Sequence, residues 1–368
     1  MIIKKTKSDI QIECLTELLK YHRCSASMSM GSGKTLIGLQ HMENEYNQNA
    51  RFLVVAPAIA IFQSWIDDAN KFNLSYLLKH ITFSTYLSIN KHNPDDYDIV
   101  YLDECHNLLY THKPFLDAFK GKIVGLTGTP PRYKNSEKGE MVHTYCPIVY
   151  KYITDTAIDD GIINDYKIFV HKLNLSTSKT FKVKTKNNGF FMTSEVANYI
   201  FWSTKIDNTN DIKQKQQFRI MRMRALMGYD TKEIYTKLLL TKIKNKCIVF
   251  CNTTEQADKI CKYSHHSKND KDNKNLNLFK EGKIDKLSCV QQLNEGQNIP
   301  GLKSGVIMHS FSNERKSQQK LGRLLRLIPE DTATLHILMY KDTIDETWVS
   351  EALKDLDQSK ITYIDAIK

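Results

Sequence analysis

A glycine-rich loop of sequence MGSGKT constrains this chain more than any other feature. The loop follows CSASM, a run typical of a short strand, and precedes a segment whose apolar residues have helical spacing. A strand, a glycine loop and a helix in this order form the context in which backbone N–H groups bind phosphate. Met28 stands where the complete pattern has its first glycine, so an ordinary glycine turn is the alternative interpretation. The loop consists of Met30, Gly31, Ser32, Gly33, Lys34 and Thr35.

Two side chains of this loop would complete a site for a nucleoside triphosphate. The ammonium group of Lys34 would reach the β- and γ-phosphates. The hydroxyl of Thr35 would bind Mg²⁺. The loop therefore predicts both a nucleotide and a divalent metal ion.

The apolar pattern around the loop predicts an α/β fold. Strand-like and helix-like segments alternate up to Gly128, which is typical of a parallel sheet flanked by helices. The alternation resumes near residue 245, and 368 residues are enough for two domains with separate cores. The predicted strands are CSASM, RFLVVAP, HITFSTY, YDIVYLDE and KIVGLTG, then KCIVFC, LSCVQQL, GVIMHSF and ATLHILMY. The predicted helices include Ile10 to Tyr21, Lys34 to about Tyr46, IAIFQSWIDDANKF, TTEQADKICKY, SQQKLGRLLRL and TIDETWVSEAL.

The residues between the two halves are less regular. The segment 153–165 is interpreted as a linker, and YKIFVHKLNL after it as a strand. TFKVKTKNNGFF predicts a basic hairpin around Asn188-Gly189. The composition of 193–243 predicts mostly helix, so about 176–243 is interpreted as a partly helical insert. The polar run HHSKNDKDNKNLN, residues 265–277, predicts a mobile loop.

Two adjacent carboxylates, Asp103 and Glu104, follow the apolar strand DIVYL. Open α/β sheets place their ligands at the carboxyl ends of strands. Asp103 would hold the water shell of Mg²⁺, and Glu104 would orient and deprotonate the attacking water. An acidic turn is the alternative, but a phosphate loop in the same predicted domain favours the catalytic interpretation.

A predicted helix in the second half carries Gln318, Arg323 and Arg326. The two arginines are three residues apart and share a face of the helix. A surface helix is by itself the more frequent explanation of such a pair. With a phosphate site in the other domain, the arginines become candidates for stabilising the γ-phosphate, because a planar guanidinium binds phosphate through two bonds.

These segments, taken in order, resemble the motifs of the superfamily 2 helicases. MGSGKT resembles motif I, DECH resembles motif II and QQKLGRLLR resembles motif VI. LVVAPAIAIFQSW, FSTYLSI, TGTPPR, IVFCNTTEQA and LNEGQNIPG resemble motifs Ia, Ib, III, IV and V. The resemblance implies a nucleic-acid-dependent ATPase with RecA-like domains at 1–152 and 166–368. It also implies that ATP binds in the cleft between these domains.

The resemblance assigns roles to further residues. Gln11 stands where the family reads adenine, and Gln318 belongs to motif VI with the two arginines. Gly296 and Asn298 would contribute to nucleotide binding, although the family often has Asp in place of Asn298. The residues implied to couple hydrolysis to the nucleic-acid path are Pro57, Thr85, His106, Thr127, Gly128, Thr129 and Asn252.

DNA is the partner that the resemblance implies. His106 separates the chain from the DEAD subgroup, which is largely directed at RNA, and the C-terminal half resembles phage and repair-type DNA helicases. A net charge of +11 favours a polyanionic partner. We therefore expect unwinding or remodelling of forked or branched DNA in replication, recombination or repair, where proteins of those pathways are candidate partners. An RNA helicase, an inactive ATPase that binds nucleic acid and the motor subunit of a restriction-type complex are the alternatives.

The cysteines and the apolar runs predict a cytoplasmic protein, in the host cytoplasm if the gene belongs to a phage. The eight cysteines form no C-x-x-C pair, as expected of reduced thiols. Cys261 with His265 and His266 suggests a metal site, but the spacing lacks a second pair of ligands. The longest uncharged run, Phe52 to Ile66, is too short for a spanning helix, so no membrane role is expected.

Overall fold

The computed structural model describes residues 4–29, 31–184, 189–290, 299–310, 331–354 and 356–366. Contacts between residues divide the chain into two units that separate between Asp165 and Tyr166. The helix predicted over SQQKLGRLLRL lies outside the described residues. No helix within the described ranges is long and apolar enough to cross a lipid bilayer.

The first unit is built on a parallel sheet of six strands, in the order β3-β2-β4-β5-β1-β6. Its strands are β1 (Arg23–Met28), β2 (Phe52–Ala56), β3 (Ile81–Thr85), β4 (Ile99–Asp103), β5 (Lys122–Thr127) and β6 (Ile148–Tyr152). All residues of β2 and β4 are buried, which explains why central strands are continuous apolar runs. The five strands predicted for this half are confirmed. The apolar pattern does not indicate β6, because that strand lies at the sheet edge and is only partly buried.

Helices flank this sheet and include those predicted from the apolar spacing. They are α1 (Lys7–Leu18), α2 (Lys34–Asn44), α3 (Ala60–Lys71), α4 (Lys113–Ala118), α5 (Glu137–Tyr145) and α6 (Thr154–Asp159), the last within the segment interpreted as a linker. The predicted start of α1 at Ile10 is wrong by three residues. The Thr6 hydroxyl accepts from the N–H of Asp9, and the Asp9 carboxylate accepts from the N–H of Thr6. This capping box starts the helix in a polar stretch where apolar spacing gives no signal.

The second unit contains a mainly parallel sheet of seven strands. Its strands are β7 (Asp165–Leu173), β10 (Cys247–Cys251), β11 (Ser264–His265), β12 (Lys286–Val290), β13 (Ser304–Ile307), β14 (Thr332–Tyr340) and β15 (Ile361–Asp365), and β8 (Phe181–Lys184) and β9 (Phe190–Thr193) form a separate hairpin. The order in the large sheet is β11-β12-β10-β13-β14-β7-β15. The predicted strands of this half are confirmed, and the α/β fold class is confirmed for both units.

The second unit contains helices both inside and outside the region interpreted as an insert. The helices of the second unit are α7 (Glu195–Asp207), α8 (Ile212–Gly228), α9 (Asp230–Lys242), α10 (Thr254–Ile260), α11 (Lys274–Lys280) and α12 (Ile344–Leu353). The predicted helical character of 193–243 is confirmed by α7, α8 and α9. β8 and β9 pair antiparallel as predicted, and residues 185–188 between them lie outside the described ranges. Short 3₁₀ helices occur at Ser75–His80, Tyr86–Lys91, Pro94–Asp96, Cys105–Asn107, Tyr110–His112 and Gln358–Lys360.

The prediction of a polar loop over 265–277 is wrong at both ends of the run, because β11 includes His265 and α11 begins at Lys274. His265 lies in β11, and its Nδ1 is 2.7 Å from Asp270 Oδ2. His266 Nε2 is 2.9 Å from Asp258 Oδ1. Both imidazoles and Asp270 are buried, so these three side chains form hydrogen bonds within the protein instead of with water.

The cysteine interpretation agrees with the structure. All eight cysteines are free and buried, and Cys247 and Cys251 lie in one apolar cluster with Val249. Among the residues that the structure describes, no group of three or more His, Cys, Asp and Glu side chains could hold a metal ion. Cys261, His265 and His266 do not form such a group.

A buried ion pair joins α9 to α12 in the second unit. Lys232 Nζ lies 2.5 Å from Asp345 Oδ2, and both side chains are almost fully buried. The same carboxylate oxygen accepts a hydrogen bond from the N–H of Tyr340 at 3.0 Å. Burial lowers the pKa of Lys232, and the charge of Asp345 offsets this only in part. Each charge therefore depends on the other for compensation.

Replacing Lys232 with Ala should lower the free energy of unfolding of this unit by about 3–5 kcal/mol, because Asp345 would remain buried without its cation. Urea denaturation followed by circular dichroism measures the change. Lys237→Ala is the matched control, since Lys237 is exposed on the same helix. Equal loss of stability in both variants would contradict a special role of the buried pair.

Candidate active site

The strand order of the first unit brings most of its predicted site residues to one edge of the sheet. β5 lies between β1 and β4, so the segments after these three strands leave the carboxyl edge side by side. The glycine loop follows β1, Asp103 ends β4 and Thr127 ends β5. This edge is where open α/β sheets bind their ligands.

The backbone of the loop explains two of its glycines. Gly31 and Gly33 have φ angles of 85° and 91°, in the left-handed region that favours glycine. A Cβ atom on Gly33 would also come within 2.3 Å of Gln11 Nε2. A side chain at Gly33 would therefore strain the backbone and displace Gln11.

Neighbouring side chains hold the loop in a shape that fits phosphate. Gln11 Nε2 donates to the carbonyl of Ser32 at 3.1 Å, and Ser32 Oγ donates to the carbonyl of Ser29 at 2.7 Å. The buried hydroxyl of Ser29 has no hydrogen-bond partner within the described part of the chain. α2 begins at Lys34 without a side-chain cap, so its first N–H groups are available to an anion. Lys34 Nζ reaches back to the carbonyl of Met28 at 3.4 Å, beside this helix start.

Asp103 is held from two sides. Its Oδ2 accepts a hydrogen bond from Trp65 Nε1 at 2.9 Å, and its carbonyl oxygen accepts one from the Tyr86 hydroxyl at 2.9 Å. Burial raises the pKa of the Asp103 carboxyl, and the adjacent charge of Glu104 raises it further. The hydrogen bond from Trp65 and the charge of Lys34 act in the opposite direction. A cation bound here would remove the remaining cost of ionising Asp103.

Glu104 is bonded to the segment that follows β5. Its Oε2 lies 3.3 Å from His106 Nδ1, 3.5 Å from Thr127 Oγ1 and 3.4 Å from the N–H nitrogen of Gly128. Burial raises the pKa of Glu104, but the hydrogen bond with His106, the charge of Lys34 and the N–H of Gly128 together lower it below its usual range. Glu104 is therefore an ionised hydrogen-bond acceptor, as the orientation of an attacking water requires.

The backbone at Glu104 takes an uncommon conformation. Its φ and ψ angles are 51° and 53°, a left-handed geometry that non-glycine residues rarely adopt. This conformation turns the chain sharply at the end of β4 and starts the 3₁₀ turn that carries His106. The local geometry thus sets the distance between the carboxylate and the imidazole.

The two threonines of TGTPPR lie around the same imidazole. His106 Nδ1 is 2.8 Å from Thr127 Oγ1 and 3.5 Å from Thr129 Oγ1. The N–H of Thr129 also donates to Thr127 Oγ1 at 3.1 Å. His106, Thr127, Gly128 and Thr129 therefore form one hydrogen-bonded group with Glu104.

The remaining predicted residues that the structure describes are Pro57, Thr85, Thr35 and Asn252. Pro57 and Thr85 follow and end two neighbouring strands, β2 and β3, at the same carboxyl edge of the first unit. Thr35 is partly buried in the first turn of α2. Asn252 follows β10 in the second unit, and its N–H donates to Gln256 Oε1 at 3.1 Å. Met30, Gly296, Asn298, Gln318, Arg323 and Arg326 lie outside the described residues.

The sequence interpretation did not identify two hydrogen-bond donors to Asp103, which are Trp65 and Tyr86. Trp65 is fully buried in α3, and the ring of Trp65 occupies the space next to Gly38 in α2. Tyr86 is buried at the start of the 3₁₀ helix after β3. In the sequence, aromatic residues in these segments have the pattern of ordinary core residues. A buried indole N–H does call for an acceptor, and this was the available signal.

Two family models match the chain. A model described as the res subunit of type III restriction enzymes matches residues 4–132. A model of the helicase conserved C-terminal domain matches residues 230–327. Together they match more than half of the chain. The first includes the glycine loop with Asp103 and Glu104, and the second includes Arg323 and Arg326.

Individual proteins are similar along nearly the whole chain. The DNA 3'-5' translocase XPB2 of Sulfurisphaera tokodaii is 24% identical over 380 aligned positions, which cover 92% of this chain and 82% of the relative. A solved structure of the ATP-dependent Type ISP restriction-modification enzyme LlaBIII bound to DNA covers 100% of this chain with a TM-score of 0.63 and 14% identity. This chain spans only 31% of that enzyme. The Hef helicase domain of Pyrococcus furiosus is 15% identical with a TM-score of 0.51, covering 93% of this chain and 96% of the domain.

Replacing Gly38 with Ala should destabilise the first unit by about 1–3 kcal/mol, because the new Cβ would overpack the core. That Cβ would lie 2.5 Å from Trp65 Cη2, and Trp65 is fully buried. Thermal denaturation measures the change. Gly228→Ala is the control, since a Cβ there meets Phe181 at an ordinary 4.0 Å and should be neutral or stabilising. A stabilised Gly38→Ala variant would show that Trp65 can move freely.

Proposed function

The chain belongs to the superfamily 2 helicases, ATP-hydrolysing proteins with two RecA-like domains, and we propose that it couples ATP hydrolysis to movement along DNA. The observation that carries the proposal is the hydrogen-bonded group joining Glu104 to His106, Thr127 and Gly128. This group connects a carboxylate suited to orienting water with a segment outside the glycine loop. Such a connection is what a motor needs, because hydrolysis must change contacts elsewhere.

The predicted site residues have different roles in ATP hydrolysis. The loop N–H groups and Lys34 bind the phosphates, with the start of α2 contributing its dipole. Thr35 and Asp103 supply oxygen atoms that would hold Mg²⁺, which neutralises phosphate charge during transfer. Glu104 accepts a hydrogen bond from the attacking water and aligns it. Arg323 and Arg326 are proposed to stabilise the transition-state charge.

Coupling of hydrolysis to movement then follows because the attacking water and the segment after β5 compete for hydrogen bonds with Glu104. In the structure, the Glu104 carboxylate is bonded to His106, Thr127 and Gly128. A water held for attack would take part of this bonding capacity. Loss of the γ-phosphate would return the carboxylate to the segment after β5. We propose that this exchange moves Thr129 and the residues that follow it.

Several observations support DNA as the track. A relative similar over most of the chain is named as a DNA translocase, and a solved structure with the same fold is bound to DNA. The net charge of +11 favours a polyanion. For a motor that moves along DNA, we propose forked or branched DNA in replication, recombination or repair as the substrate class.

A second candidate is the motor of a restriction-type complex. The first half matches the res subunit model, and the LlaBIII enzyme shares the fold. A motor of this kind would translocate along duplex DNA without separating its strands.

Measuring ATP hydrolysis with different nucleic acids tests the proposal. We expect stimulation by DNA, with the greatest rate on forked forms. Stimulation by duplex DNA alone, without strand separation, would favour the restriction-type motor. Stimulation by RNA alone would move the protein to RNA metabolism, and absence of hydrolysis with every nucleic acid would contradict the motor.

Lys34→Ala should lower the stimulated rate by about 100-fold or more, because the variant loses a cation placed on the transferred phosphate. Lys20→Ala is the matched control, since Lys20 is an exposed lysine of the same unit paired with Glu17. The rate of the control should equal that of the unaltered protein. Unchanged turnover in Lys34→Ala would refute the site assignment.

Trp65→Phe should raise the Mg²⁺ concentration needed for half-maximal hydrolysis by about 10-fold, because Asp103 would lose the donor that orients it. Titrating Mg²⁺ at fixed ATP measures this value. Trp202→Phe in α7 is the control for a tryptophan-to-phenylalanine change outside the site. The same Mg²⁺ requirement in both variants would mean that Trp65 fills space without positioning Asp103.

A further inference from the structure

A basic cavity in the second unit lies outside all the helicase motifs. The cavity has a volume of about 450 Å³ and is formed by α7, α8 and α12. Lys215, Arg219 and Arg222 of α8 line one side, and Trp348 and Ile344 of α12 line another. Asp207 at the end of α7 is the acidic residue in its lining. We call this feature the α8 cavity.

The sequence of α8 concentrates positive charge on this side. The helix contains Lys213, Lys215, Arg219, Arg222 and Arg224 and no acidic residue. Positions 215, 219 and 222 are spaced by four and three residues, so they share one helix face. Three cations therefore converge on a single cavity.

Within the described part of the chain, acidic side chains do not neutralise the cations of the α8 cavity. Lys215 and Arg219 form no ion pair with any acidic side chain that the structure describes, and Asp207 is not within ion-pair distance of them. Arg222 is held in place instead, by a hydrogen bond from Nη1 to Ser203 Oγ at 3.2 Å and by the Tyr199 ring, whose centroid is 5.5 Å from the guanidinium carbon. The cavity thus has one oriented guanidinium and two available charges.

The aromatic wall is fixed by the core. Trp348 and Ile344 are partly buried and pack against the apolar cluster of the second unit. The N–H of Ile344 donates to the Tyr199 hydroxyl at 2.8 Å, and the Lys232–Asp345 ion pair holds the same helix. An aromatic ring held in this way can stack on a base with little loss of conformational entropy.

We propose that the α8 cavity binds single-stranded nucleic acid, with Lys215, Arg219 and Arg222 on phosphates and Trp348 against a base. Phosphodiesters match the three cations, and an unpaired base matches the aromatic wall. A base within a duplex is stacked on its neighbours and cannot reach Trp348, so a single strand is the occupant. Lysine and arginine bind phosphates regardless of sequence, so this contact is independent of sequence.

This inference rests on the proposed function and deepens it. The helicase motifs of the first unit are proposed to bind a strand at the carboxyl edge of the sheet. The α8 cavity adds a contact on the region interpreted as an insert. The motor would thereby bind the strand at a second place.

The double variant Lys215→Ala/Arg219→Ala tests the proposal by fluorescence anisotropy with single-stranded oligodeoxythymidine. We expect affinity at least about 10-fold weaker, and a slope of log affinity against log salt that is smaller by about 1.4, as loss of two phosphate contacts predicts. Hydrolysis without nucleic acid should be unchanged, because both residues lie outside the nucleotide site.

Lys213→Ala/Arg224→Ala is the matched control. It removes the same charge from the same helix, but positions 213 and 224 lie on the face opposite the cavity. Affinity should fall much less in this variant. Equal losses in the two double variants would overturn the proposal, since net charge alone would then explain binding.

Trp348→Leu separates stacking from charge. This variant should bind the oligonucleotide about 5-fold or more weakly with an unchanged salt slope, because stacking releases no counterions. If the unaltered protein binds oligonucleotide and all cavity variants bind it equally well, the α8 cavity is not a nucleic-acid site although the motor proposal stands. If the unaltered protein binds no nucleic acid, the proposed function itself fails.

Discussion

Two adjacent carboxylates are buried at the end of β4, and the need to compensate their charge governs the structure around them. An ionised carboxylate taken out of water costs several kcal/mol unless hydrogen bonds or opposite charges replace the lost solvation. Trp65 supplies a hydrogen bond to Asp103, and His106 with Gly128 supplies others to Glu104. These donors come from α3, the turn after β4 and the segment after β5. The site is therefore complete only when the whole sheet has formed.

The need to compensate buried charge also determines how two helices of the second unit pack. Lys232 and Asp345 must stay paired because both are buried, and their pairing locks α12 against α9. Trp348 is carried by α12, so its position relative to α8 depends on that buried pair. A core interaction thus supports the position of Trp348 in the proposed nucleic-acid contact.

Local patterns predicted most of the strands and helices but misjudged polar segments. Buried parallel strands are continuous apolar runs, so β2, β4 and β10 are visible without any structure. The start of α1 depends on the capping pair Thr6 and Asp9, which apolar spacing does not register. The run 265–277 is polar, yet His265 and Asp270 are buried because they bond to each other. A polar residue is expected to be exposed only when its hydrogen-bond partners are water molecules.

The sequence by itself determined which chemical groups the chain carries and in what order, from the glycine loop through Asp103-Glu104 to the arginines of motif VI. Such motifs depend on residues close together in the chain, so their spacing is readable directly. Only the tertiary structure decided that Trp65 and Tyr86 hold Asp103, that His106 joins Glu104 to Thr127, and that Trp348 faces the cations of α8. Most of these partners are far apart in the chain. They meet because of strand order and helix packing, which depend on the burial of many residues at once and not on any local pattern.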